Sequence, residues 1–396
     1  MRQALGICAL LTVVDGGWGQ WPQWGGPRRD FTCDSVGLAE TWPADGPRKI
    51  WSREIGAGHS AIVMDGETLF TMCRRGDQDA VLAVRAADGQ TVWEMSYAAP
   101  PLEDMQLEFG PGPHSTPLVA GDRVFTVGGM VHFHCLDKRT GKVLWSHDLM
   151  AEMGAGHLGR GYGASPLAYK DMVVIIVGGK ETGVAAFKQD TGEVVWKSEP
   201  RRGGYPSPIL VRINEEEHLI VALGTERAGL DPATGTTRWK ATVDKQLAGI
   251  MSSPVFVPPD RVFFSSAYGG GSQVFRVRFA DGTYNAEPLW HDPRLKVMYS
   301  DVIRIGAHVY GSSGDFGPAF LMAVALEDGK VLWRERGFGK ASLLYADGKL
   351  IILDEEGMLA LATVSPEGIT IHAKATVLEE KAFTAPTLVG TTLYLR

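Results

Sequence analysis

The sequence predicts an all-β chain folded as an eight-bladed β-propeller of four-stranded antiparallel blades, with both chain ends closing the last blade. Three observations predict it. A turn-plus-tryptophan phrase returns along the chain at intervals of 42 to 52 residues. A second phrase, built around small hydroxyl residues and proline, returns eight times. The composition of the 396 residues, with 49 Gly, 22 Pro and 44 % hydrophobic residues, suits many short apolar strands cut by turns.

The first phrase marks the outermost strand of each blade. It reads DGQTVW (Gly89, Trp93), TGKVLW (Gly141, Trp145), TGEVVW (Gly192, Trp196), TGTTRW (Gly235, Trp239) and DGKVLW (Gly329, Trp333). A copy with an insertion reads DGTYNAEPLW (Gly282, Trp290), and Trp51 in KIWSREI matches the end of the phrase alone. Seven of the eleven tryptophans thus share one repeat position, and the spacing suits blades of about 40–50 residues. A worn eighth copy keeps Gly368 and has Ala373 in place of the indole. Glycine supplies the positive φ of a hairpin turn between third and fourth strands. Thr or Asp before it stabilises that turn through local backbone bonds. Tryptophan fills the wedge between neighbouring blades, where its N–H can meet a carbonyl.

The second phrase marks the innermost strand. Its copies are HSAIV, HSTPLV, GASPLA, YPSPIL, MSSPVF, YSDVI, KASLL and FTAPTL. Proline is tolerated at the start of these strands because its missing N–H lies at the end of the ladder. Eight inner and eight outer strands agree on the blade number.

Together the two phrases resemble the pyrroloquinoline-quinone (PQQ) repeat of quinoprotein-like propellers. That family includes the quinoprotein alcohol dehydrogenases and the outer-membrane lipoprotein that assembles β-barrels. The resemblance covers nearly everything after Pro47. WPQWGGPRRDF, from Trp21, looks like the lead-in of such propellers from environmental bacteria. With the N-terminal residues read as an export signal, the expected division is a signal peptide (1–19), a lead-in segment (20–46) and the propeller (47–396). In the final blade Trp51 belongs to the outer strand and FTAPTLVGTTLYLR supplies two inner ones. The third strand is either missing, the sequence then being truncated after Arg396, or supplied by residues 20–45.

The export reading rests on Arg2, the apolar run ALGICALLTVV and small residues Gly17 and Gly19 before Gln20. The alternative is a buried N-terminal strand. The run is too short to span a membrane, and Cys8 comes too early to carry a lipid. A soluble protein of the periplasm or the extracellular space is expected. Cys33, Cys73 and Cys135 remain after cleavage, an odd number that allows at most one bridge; burial as small apolar groups is expected. A net charge of −7 argues against a nucleic-acid footprint.

The position opening each inner phrase predicts a ring at the funnel mouth: His59, His114, Gly163, Tyr205, Met251, Tyr299, Lys340 and Phe383. The long loops at 97–114 and 150–163 join the same face and add His157, Arg160 and Tyr162 as ligand-binding candidates. Arg160 and His157 suit an anionic ligand. The acidic triplet Asp354-Glu355-Glu356 is expected in a solvated turn. No metal site and no catalytic residue stand out. The dehydrogenases of the resemblance use adjacent cysteines, calcium ligands and a catalytic aspartate, and this chain has no adjacent cysteines. The expected function is an exported scaffold that binds a protein, peptide or small ligand at its funnel face, without catalysis or cofactor. A PQQ- and calcium-dependent oxidoreductase is the first alternative, and a polysaccharide-binding accessory protein the second.

Overall fold

The computed structural model describes residues 4–9, 20–108, 110, 112–156, 158–244, 252–315 and 317–396. His157 and Met251 of the predicted mouth lie outside them. Eight four-stranded sheets follow one another along the chain, and every recorded strand pair is antiparallel. In blade one the strands are Val63–Asp65, Thr68–Arg75, Gln78–Arg85 and Thr91–Ala98, running from the axis outward. Blades two to seven repeat that order across residues 118–148, 167–197, 209–242, 255–292, 303–335 and 341–376.

Blade eight joins Thr387–Val389 and Thr392–Leu395 to Arg48–Glu54 through the strand Ala4–Ala9. Ala4 pairs with Glu54, and Gly6 pairs with Leu395. The third place of this sheet is therefore taken by Ala4–Ala9, and no strand from residues 20–45 joins it. Residues 4–9, the start of the run read as an export signal, occupy that place.

The turn glycines adopt φ values of +71° to +79° at Gly89, Gly141, Gly192, Gly235, Gly282 and Gly329. A second constraint acts on most of them. A Cβ at Gly141 would sit 2.5 Å from the Trp93 ring of the preceding blade, and one at Gly192 2.7 Å from Trp145. The same indoles donate to backbone carbonyls of the next blade: Trp51 to Ala86 (2.9 Å), Trp93 to Lys138 (2.9 Å), Trp145 to Gln189 (3.1 Å), Trp196 to Pro232 (3.1 Å), Trp290 to Leu326 (3.0 Å) and Trp333 to Ser365 (2.8 Å). Each ring thus bonds one blade further on, and all but Trp333 also pack on the turn glycine there.

Two seams lack this link. Between blades four and five, Trp239 Nε1 is buried with no hydrogen-bond partner among the described residues, and nothing lies within 4 Å of a Cβ built on Gly282. The inserted residues of DGTYNAEPLW lengthen that hairpin, whose outer strand runs Thr283–Asp292. Between blades seven and eight Ala373 replaces the indole. There the lead-in segment packs instead, with Trp42 and Leu38 against the cluster that holds Ala373 and Leu378.

In blades one to three the pairing of third and fourth strands shifts register just before the tryptophan. In blade one Trp93 faces Ala83 while Thr91 faces Val84, which leaves Val92 bulged. Leu144 and Val195 fill the same position in blades two and three. These three apolar residues face solvent, at 50 %, 44 % and 43 % exposure.

Candidate functional site

The inner-strand phrases meet at the axis, and their third residues carry hydrogen bonds between neighbouring blades. Ala61 N–H donates to Thr116 Oγ1 (3.1 Å), Thr116 N–H to Ser165 Oγ (3.0 Å) and Ser165 N–H to Ser207 Oγ (2.9 Å). In blade six the hydroxyl is replaced by the carboxylate of Asp301. Asp301 accepts from the N–H of Ser253 and from its hydroxyl at 3.1 Å. Eight phrases thus place one acid at the waist of the channel.

Below that waist the lead-in segment plugs the axis. Residues 23–31 fold into a compact loop, with Gly26 N–H bonding Gln23 O at 3.0 Å and Phe31 N–H bonding Gly25 O at 2.9 Å. Gly25 takes φ +73°, and a Cβ there would meet the Arg29 backbone at 2.7 Å, so the loop closes only around glycine. Trp24 Nε1 donates to Asp301 Oδ2 at 3.1 Å and lies 3.3 Å from Ser253 Oγ. Arg29 is buried and donates to the carbonyls of Ser165 (2.8 Å), Pro166 (2.9 Å) and Pro208 (2.7 Å). Trp21 pairs with Met64 of blade one through both backbone bonds, and Tyr345 N–H of blade seven bonds Phe31 O.

The plug divides the channel into two cavities that share Ser253 and Asp301. The lower one, about 350 Å³, is lined by the loop itself and the inner strands of blades three to six. The upper one, about 140 Å³, is the funnel. Of the predicted ring, His59, His114, Gly163, Tyr205, Tyr299 and Phe383 line the funnel together, and Arg160 joins them. Lys340 does not: its N–H and ammonium turn to Glu355 Oε1, at 3.1 and 3.4 Å. Tyr162 does not either. It is buried in the core shared by blades two and three, where desolvation raises its phenol pKa.

Aromatic rings form a continuous wall. His59 stacks on His114 with centroids 5.3 Å apart, Phe383 meets His59 edge-on at 5.2 Å, and Tyr299 meets Phe383 at 5.3 Å. His114 Nε2–H donates to the Arg160 carbonyl at 3.0 Å, and burial lowers its pKa to about 4, so the ring is neutral at pH 7. Arg160 ties the two long loops together. Its guanidinium bonds Glu108 Oε1 at 2.5 Å and lies 5.9 Å over the Tyr268 ring, while Gln106 N–H bonds Gly159 O at 2.7 Å. Its charge is thus already matched, which weakens the anion-binding role expected of it. Burial raises the pKa of Asp301 to about 6.

Sequence reading missed Asp301, Trp24 and Arg29. The signal for Asp301 was available, because aligning the eight phrases shows its carboxylate in a column of Ser, Thr and Ala. Nothing in the spacing marks the lead-in as a plug. Asp354 also departs from expectation. It is buried, and it accepts Gly339 N–H at 3.0 Å and Met358 N–H at 3.0 Å, shaping the turn it was expected to expose to solvent. The three described cysteines, Cys33, Cys73 and Cys135, are free thiols. Among the described residues no group of three or more His, Cys, Asp or Glu could hold a metal ion, and no helix is long and apolar enough to cross a membrane.

The family model described as outer membrane protein assembly factor BamB matches residues 77–335. Among solved structures, BamB from Moraxella catarrhalis is similar over 89 % of both chains, at 19 % identity and a TM-score of 0.56. The quinohemoprotein alcohol dehydrogenase of Comamonas testosteroni is similar over 93 % of this chain and 74 % of its own, at 12 % identity and a TM-score of 0.63. No curated protein matches the sequence.

Proposed function

Since this chain belongs to the family of outer membrane protein assembly factor BamB, the PQQ-repeat β-propellers, we propose that it is an exported scaffold whose funnel receives a side chain of a protein or peptide partner. The observation that carries this reading is the funnel itself. It is walled by His59, His114, Phe383 and Tyr299 and floored by Trp24. At about 140 Å³ it is smaller than the ~300 Å³ at which sites for drug-sized molecules begin. Aromatic walls bury much apolar area at little entropic cost, as an anchor pocket requires.

A quinone held through calcium needs several ligands converging beside a wide flat slot. The floor offers the Asp301 carboxylate, which already accepts three hydrogen bonds. These residues do not fit that group. Export is part of the proposal; it rests on the charged start and the apolar run of residues 2–14, and cleavage before Gln20 would leave the place of Ala4–Ala9 in blade eight open.

The test is to pan a displayed peptide library on the purified chain and titrate the hits. Binding should fall at least tenfold in Phe383→Ala and His59→Ala, and should persist in Val92→Asp on the outer rim. Hits that ignore both funnel variants, or a panning with no hits, would defeat the reading.

A further inference from the structure

We infer that the group the funnel receives is cationic: the ammonium or guanidinium of a basic side chain or of a free amine, with its charge directed to Asp301 and its stem against Phe383 and Tyr299. This rests on the funnel being the binding site, and it assigns the chemistry of the occupant.

Three independent features point the same way. The first is the ring of inner-strand residues. Seven of its eight positions carry only a hydroxyl or a methyl group, and the bonds from Ala61 to Ser207 show that a hydroxyl suffices to join blades. A carboxylate in blade six exceeds that need. It is 7 % exposed and borders the funnel. Its oxygens accept three hydrogen bonds, from Ser253 N–H, Ser253 Oγ–H and Trp24 Nε1–H. A carboxylate has about four acceptor sites, so one remains for a ligand.

The second feature is the wall, whose π faces attract cations, most strongly where water is excluded. The third is Arg160. The structure already lays a guanidinium over Tyr268 at this mouth, with Glu108 as its counter-charge. A cation arriving from outside meets a surface that already holds one.

The surrounding charges are consistent with this. Arg29 lies beneath Asp301 and is engaged by carbonyls of Ser165, Pro166 and Pro208 and by Gln23 Oε1. His114 is neutral at pH 7, and Arg160 is paired with Glu108. An anion would face the Asp301 carboxylate with no uncommitted cation described beside it.

The experiment uses the full chain and a charge series of one shape: n-butylammonium, n-butanol and butyrate. Gly-Gly-Lys-Gly-Gly and its norleucine counterpart form the peptide pair. Binding is read by calorimetry or saturation-transfer NMR at pH 7.5. The ammonium and the lysine peptide should each bind at least tenfold more tightly than their neutral partners. A lysine peptide that outbinds butylammonium identifies a polypeptide source, whereas equal affinities identify a small amine.

Asp301→Asn should cost at least tenfold in affinity, and Phe383→Leu several-fold. Arg160→Gln should strengthen binding by removing the resident competitor, whereas it would weaken the binding of an anion. Affinity should also fall as pH drops below about 6, where Asp301 takes up a proton. Should Asp301→Asn unfold, the sign of the Arg160→Gln effect still decides. Norleucine binding as tightly as lysine, or Arg160→Gln weakening the cation, overturns the inference. If neutral or acidic library peptides bind through Phe383, the binding reading stands and this assignment falls; if nothing of any charge binds, the binding reading itself falls.

Discussion

Replacing Arg29 with alanine should destabilise the propeller by about 3 kcal/mol, and the figure can be worked from the structure. The guanidinium donates to three carbonyls, two on blade three and one on blade four. Hydrogen bonds from a charged donor contribute about 1.5–3 kcal/mol each, which puts the gross loss near 5–9 kcal/mol. Against this stands the cost of burying the charge. Desolvation lowers the Arg29 pKa from 12.5 to about 9, equivalent to roughly 5 kcal/mol at 1.36 kcal/mol per pH unit. Water entering from the lower cavity reduces the loss further, while the void left by the side chain adds on the order of 1 kcal/mol. The balance falls between about 1 and 4 kcal/mol. Arg29→Lys should recover less than half, since a compact ammonium cannot fork across two blades. Urea unfolding followed by tryptophan fluorescence measures it, with an unchanged slope expected for a loss of stability alone. A loss below about 1 kcal/mol, or a gain, would refute the view that this side chain holds the plug to the inner strands.

Other consequences are equally direct. Gly141→Ala and Gly282→Ala impose the same left-handed backbone penalty, about 1–2 kcal/mol, yet only the first drives a methyl into an indole; thermal unfolding should show Gly141→Ala losing about 1–3 kcal/mol more, and equal losses would remove packing from the account of the repeat. Because the Asp301 pKa is raised, between about pH 3.8 and 6 the folded chain holds a proton there that the unfolded chain has shed. Stability from this group is complete below about pH 3.8 and is lost as pH rises to about 6; Asp301→Asn should flatten that limb by roughly 2–3 kcal/mol in unfolding experiments between pH 4 and 7. His114 acts in the opposite sense, since its pKa is lowered to about 4 by burial; its contribution is lost as pH falls from 6.5 toward 4, and His114→Gln should remove that dependence. Mass spectrometry of chain recovered from outside the cytoplasm should find Gln20 as its first residue; recovery with residues 4–9 retained would reject the export signal.

The repeat made the architecture readable because one hydrogen bond and one packing contact recur in most blades, leaving the same residues at the same spacing. The funnel ring was readable for the same reason: His59, His114, Tyr205, Tyr299 and Phe383 precede equivalent strands, so the topology brings them together. Lys340 fails because a local carboxylate, Glu355, captures it. Tyr162 fails because its loop turns inward between two blades. Val92, Leu144 and Val195 face solvent although apolar, since the extra residue of the bulge interrupts the alternation of faces. Residues of the plug occur once, so no periodicity could reveal them, and their role depends on contacts more than a hundred positions away.

The interrupted tryptophan relay makes the disc a hoop of two arcs, one running from blade eight through blade four and the other from blade five to blade seven. The lead-in loop spans the join between blades four and five: Arg29 grips the longer arc at blades three and four, and Trp24 grips the shorter at blades five and six. It therefore acts as a clasp. Loosening it should show in hydrogen exchange as early opening along the facing edges of blades four and five, while the indole-linked joins stay shut. The carboxylate that the clasp fastens to is also the one assigned to the ligand, so an occupant of the funnel would tighten the hoop from the other side.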